Sequence, residues 1–100
     1  MSKATSRPFD SADCIDTPEA AAAYLEAALE DGDAQIIAAT LGDIARSKGM
    51  AIIAARTGLA RDQLYKSLSA DGNPRLTTLP GVLKAMGLRL SVTADPHQAA

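Results

Sequence analysis

The side chains with the most evident chemistry in this 100-residue chain lie at residues 61–66, RDQLYK. Arg61, Asp62, Gln63 and Lys66 fall on the outward side of a short helical segment, where such groups reach base edges and phosphates. Arg61 has the two-pronged geometry that matches a guanine edge, and Gln63 has the donor and acceptor that match adenine. Lys66 suits a phosphate, and Asp62 suits the positive end of its own helix. Ser47 and Lys48, at the close of an earlier helical stretch, are further candidates for phosphate contact, although a cation there also simply complements a helix dipole. For Arg61 and Lys66 the alternative is an ordinary solvated helix face. Recognition rather than catalysis is the chemistry implied. The one cysteine, Cys14, and the one histidine, His97, stand at opposite ends, no glycine-rich phosphate loop is present, and no carboxylate pair has an apolar setting. The chain is therefore expected not to be an enzyme, and no metal or cofactor is expected.

Two short helices must hold these groups. In residues 50–69, Gly58 supplies the positive φ that ends the first helix, Leu59 packs just beyond it, and Leu64 and Leu68 form one face of the second. Ala54 is expected where the two helices approach closely. That is the spacing of a helix-turn-helix, with the second helix presented outward. Upstream, Thr17 can cap a helix beginning at Pro18 with Glu19 in its first turn, running to about Asp31 with Tyr24, Leu25, Ala28 and Leu29 inward and stopping at Gly32. Asp33 can cap the next, whose stripe of Ile37, Leu41, Ile44 and Ala45 ends at Gly49. Before both, Phe9, Ala12 and Ile15 recur three apart in a run too short for a stable helix of its own.

Residues 71–74, DGNP, give a strong turn signal. One helix from Pro74 would carry Leu76, Leu79, Leu83 and Met86, but Pro80-Gly81 in its interior would cost about 4 kcal/mol. A turn over residues 74–78, then a shorter helix from near Leu79 capped by Thr77 or Thr78, is preferred. Residues 88–94 then switch to a two-residue period, with Leu88, Leu90, Val92 and Ala94 on one side and Arg89, Ser91 and Thr93 on the other. A lone strand leaves its backbone groups unpaired. Its candidate partners are the same strand of a second copy, an N-terminal segment, or an edge of another protein.

Alanine and leucine dominate the apolar residues, and only Phe9, Tyr24 and Tyr65 are aromatic, a composition that favours closely approaching helices. The expected fold is all-α, with five helices and a short C-terminal β-strand. Residues 1–32 form an acidic arm and helix, residues 33–87 the helix-turn-helix domain, and residues 88–100 the strand and a loose tail. Charge divides along the same line. Residues 1–33 hold two basic against eight acidic residues, net −6, and residues 34–100 hold eight against four, net +4. An acidic arm on a mildly basic body suits a protein that meets a basic partner at one end and DNA at the other; the alternative is a merely solubilising arm. A single cysteine excludes an intrachain disulfide, and with no long apolar run and no secretory leader a cytoplasmic location is expected.

Several ordered pieces together resemble a known family. LGDIARSKGM, the turn GL, RDQLYKSLSADGNP and KAMGLRLSV, preceded by FDSADCID and ALEDGD, are similar to the addiction-module antidote proteins, HigA-like antitoxins with a Cro/repressor-type helix-turn-helix. The resemblance implies a basic toxin of the RelE/ParE type as partner, repression of the shared operon through double-stranded operator DNA, and a homodimer. In a second reading the helix-turn-helix is mainly a scaffold, and the acidic N-terminal region, with Phe9, Asp13, Ile15 and Asp16 as contact residues, neutralises the toxin by charge complementarity and by burying Phe9, Ile15 and Tyr24; for Phe9 and Tyr24 the alternative is ordinary core packing. A stand-alone phage-type regulator without a toxin would show the same pattern. The chain departs from the family where Ala51 and Ile52 replace a serine or threonine followed by glutamine, where Ala60 replaces a serine, and at Pro80-Gly81. Both helices of the motif are thus expected to begin without a side-chain cap, at about 1 kcal/mol each.

Overall fold

The computed structural model describes residues 15–96. Five helices follow one another: α1 (Pro18–Asp31), α2 (Ala34–Lys48), α3 (Met50–Thr57), α4 (Arg61–Ser67) and α5 (Leu79–Ala85). Local rules account for most of their ends. The Thr17 hydroxyl accepts a hydrogen bond from the Ala20 amide at 3.1 Å, and Pro18 opens α1 with a φ already suited to a helix. Gly32 closes it at φ 80°, and the Asp33 carboxylate then accepts from the Gln35 amide at 2.9 Å to start α2. Between α3 and α4, Gly58 turns the chain at φ 77° while its amide bonds to the Ala54 carbonyl. Thr57 braces that corner, donating to the Ile53 carbonyl and accepting from the Leu59 amide. As expected, neither α3 nor α4 has a side-chain cap at its start.

The shorter of the two alternatives after the DGNP turn is the one adopted. The amides of Thr78 and Leu79 both bond to the Arg75 carbonyl, and α5 begins at Leu79 with Pro80 in its first turn. Thr78 occupies the cap position without using its side chain, because the preceding turn leads into the helix and holds Thr78 itself in a helical conformation.

The core gathers Leu41, Ile44 and Ala45 of α2, Met50 and Ile53 of α3, Leu64 and Leu68 around α4, and Val82, Leu83 and Met86 around α5. Helix α1 lies against α2, with Ala21, Leu25 and Ala28 buried and Tyr24 half-buried. Leu29, expected inward, is 51% exposed, since the buried stripe of α1 runs through residues 21, 25 and 28. Ile15 is buried in the core ahead of α1.

A small residue, Gly42 of α2, lets two elements approach closely. A Cβ on Gly42 would collide with the backbone carbonyl of Leu68, so α2 and the end of α4 meet backbone to backbone. Ala54 is only half-buried against the core. No strand forms among the described residues. Residues 88–94, read from the sequence as a strand, lack ladder bonds there, because none of the described residues forms a strand beside them.

Candidate nucleic-acid interface

Leu64 and Leu68, at 1% and 0% exposure, pin α4 to the core by one side. The helical repeat then forces residues 61, 62, 63, 65 and 66 outward, and all five are exposed. Among the described residues, Arg61, Asp62, Gln63 and Lys66 have neither a hydrogen-bond nor an ion-pair partner on their side chains. A guanidinium, a carboxamide and an ammonium thus project from one short rod with their donors uncommitted.

Tyr65, not singled out from the sequence as a contact, joins this face at 48% exposure. Its spacing was the available signal: it stands four residues from Arg61 on the same helix, and its hydroxyl is a phosphate donor.

The backbone behind this face is firmly placed. Gly42 seats the end of α4 on α2, Thr57 and Gly58 fix the corner, and Arg56 donates to the Ala85 carbonyl at 3.1 Å, joining α3 to the end of α5. Arg46 is not a free cation. It pairs with Asp43 at 2.6 Å, and the same carboxylate accepts from the Tyr24 hydroxyl at 2.9 Å, linking α2 to α1.

The residues grouped from the sequence with α4 do not all stay with it. The Ser47 hydroxyl donates to the Ile15 carbonyl at 3.3 Å, and Ser47 and Lys48 line a depression with Ile15, Asp16, Thr17, Pro18 and Met86. Two residues assigned to DNA are thereby brought beside two assigned to a protein partner. Lys48 and Asp16 remain exposed at its rim, whereas Ile15 is 4% exposed, so its side chain serves the core rather than a surface. Phe9 and Asp13, the other expected protein contacts, lie outside the described residues, as does the run of residues 9–14.

Among the described residues no group of three His, Cys, Asp or Glu side chains is placed to hold a metal ion, and no helix is long and apolar enough to cross a membrane. Side chains of these types can bond to phosphate oxygens and to the edges of bases.

Residues 5–94 match a family model described as "Probable addiction module antidote protein". The chain is also 38% identical over 86 residues to an uncharacterised protein of Haemophilus influenzae, covering 86% of this chain and 89% of that one. No solved structure matches it at a significant level.

Proposed function

The chain belongs to the probable addiction module antidote protein family, and we propose that it is the HigA-like antitoxin of a type II toxin–antitoxin module. In this reading it neutralises a basic RelE/ParE-type toxin by direct binding. It also represses its own operon as a homodimer, through a Cro/repressor-type helix-turn-helix formed by α3 and α4. The observation that carries the reading is the uncommitted set of Arg61, Asp62, Gln63 and Lys66 on a helix that Leu64 and Leu68 hold to the core.

For DNA, α4 is the recognition helix. Arg61 pairs with a guanine edge, Gln63 with adenine, and Lys66 and Tyr65 with phosphates, while two α4 helices of a dimer enter successive major grooves about 34 Å apart. Lys48 adds a phosphate contact, with Ser47 ordering the backbone beside it. For the toxin, the acidic N-terminal region supplies steering charge through Asp13 and Asp16, and Phe9 supplies apolar contact. Ile15 contributes by anchoring that region to the body.

A stand-alone phage-type regulator is the second reading, favoured by the same α4 face. Co-production with the product of the neighbouring gene, followed by copurification, separates the two. A salt-dependent titration on the upstream DNA then tests repression. A stable complex with a small basic protein and a steep loss of operator affinity with salt are expected. Absence of the complex leaves the stand-alone regulator, and equal affinity for operator and random DNA removes the repressor role.

A further inference from the structure

Helix α1 buries Ala21, Leu25 and Ala28 and leaves a second stripe, Ala22, Glu26, Leu29 and Glu30, exposed. These four recur at helical spacing and form one wall about 12 Å long. Residues 88–91 stand across from it, and between them lies a depression of about 220 Å³ lined by Leu25, Leu29, Leu83, Leu88 and Leu90. Leu25 and Leu83 are buried and make its floor, whereas Leu29 and Leu90 are 51% and 52% exposed at its mouth. Past Leu29 the groove continues into a second hollow lined by Glu26, Glu30 and Asp95. Among the described residues Glu26 and Glu30 have no hydrogen-bond or ion-pair partner on their side chains, and Arg89 is the one cation lining either hollow. An apolar trough thus opens beside an excess of carboxylate.

The leucine-lined part is smaller than the ~300–1,000 Å³ of small-molecule sites and has room for one or two bulky apolar side chains of a larger partner. The carboxylates at its edge select a partner that is cationic beside those side chains. Its longer wall is a stripe of two helical turns, and the element that matches such a stripe is a second helix laying its apolar side into the groove. We infer that this groove is the docking surface for a basic amphipathic helix of another protein. Apolar residues four apart on that helix enter between α1 and residues 88–91, and its flanking Lys or Arg residues meet Glu26 and Glu30. The groove shares no residue with the α4 face or with residues 9–16, so the inference rests on neither the DNA nor the toxin contact proposed above.

The test is fluorescence anisotropy of the full chain with a labelled peptide of about 14 residues, built of leucine and lysine alone and patterned to place leucine on one helical face. Saturable one-to-one binding is expected, and a leucine–glutamate peptide of the same pattern should not bind. Leu29→Asp and Leu90→Asp should each weaken binding by about tenfold. Glu26→Lys with Glu30→Lys should weaken it as much and also admit the leucine–glutamate peptide, a reversal of preference that a damaged fold does not produce. Glu30→Lys alone should weaken binding, while Asp71→Lys, an equal change of charge in the turn beyond α4, should leave it unchanged. All these side chains are exposed, so thermal melts should stay close to wild type. Equal binding of both peptides, or binding untouched by Leu29→Asp and Glu30→Lys, would overturn the inference. Tighter binding by Phe9→Ala would assign the groove to the chain's own N-terminal segment, and self-association abolished by Leu29→Asp without peptide would assign it to a second copy; either result also overturns it.

Discussion

Gly42 sits in the interior of α2, where glycine weakens a helix by about 1 kcal/mol relative to alanine, and its position shows why that weakness is retained. Any Cβ there meets the carbonyl of Leu68, a backbone group that cannot swing aside. Gly42→Ala should therefore push α4 off α2 and destabilise the protein by about 1–3 kcal/mol, an overpacking effect. A thermal melt followed by circular dichroism should show a midpoint lower by several degrees, on the order of 4–8 °C per kcal/mol for a domain of this size. An unchanged midpoint would mean that the approach is looser than described. On the other side of α4, Arg61 and Lys66 should separate by type of contact. Arg61→Ala is expected to cost about 1–3 kcal/mol on the operator and to relax discrimination at one base pair, whereas Lys66→Ala should weaken all sequences alike and reduce the salt slope by about one. Titrations on operator and random duplexes at several salt concentrations read both effects. Neither variant should alter the melt, since both side chains are exposed and unpartnered.

Helix α4 is only seven residues long and follows Ala60, whose extended backbone at φ −70°, ψ 144° is already that of a capping residue. Only the side-chain acceptor is missing. Ala60→Ser should supply it and stabilise the helix by about 1 kcal/mol, raising the melting midpoint by a few degrees. Hydrogen exchange should slow first at the amides of residues 62 and 63, and unchanged exchange there would show that the new hydroxyl faces solvent. Helix α1 shows the same physics with the cap present: Thr17 holds the Ala20 amide. These starts and stops were legible in the sequence because each depends on residues within one turn. Thr17, Gly32, Asp33, Gly49 and Gly58 mark helix ends that agree with the expected ones. The use of Thr78 was not legible, because the turn from Arg75 replaces the side-chain cap with backbone hydrogen bonds.

For the whole molecule, the separation of charge predicts how it would meet the basic toxin proposed as its partner. With net −6 in residues 1–33 and net +4 in the remainder, the N-terminal end should steer association and the body should not. Asp13→Asn with Asp16→Asn should slow association with the toxin severalfold at low salt, with little change in dissociation, and the difference should fade as ionic strength rises. Stopped-flow mixing with the purified toxin provides the measurement, and an equal rate for the two forms would move the contact elsewhere. The melt should stay unchanged, because the anchor at this end is Ile15 in the core, reinforced by the Ser47 hydroxyl on its carbonyl. Those contacts are also where reading the sequence fell short. By itself the sequence determined the order and ends of the helices, the all-helical body, the outward face of α4 and the division of charge, since caps, helical repeat and composition act locally or by simple addition. Only the tertiary structure decided that Ile15 is core while Leu29 is surface, that Gly42 makes a close contact with Leu68, and that Ser47 belongs with Ile15. Burial and close approach are set by whichever distant segment folds against a residue, and no spacing along one segment carries that information.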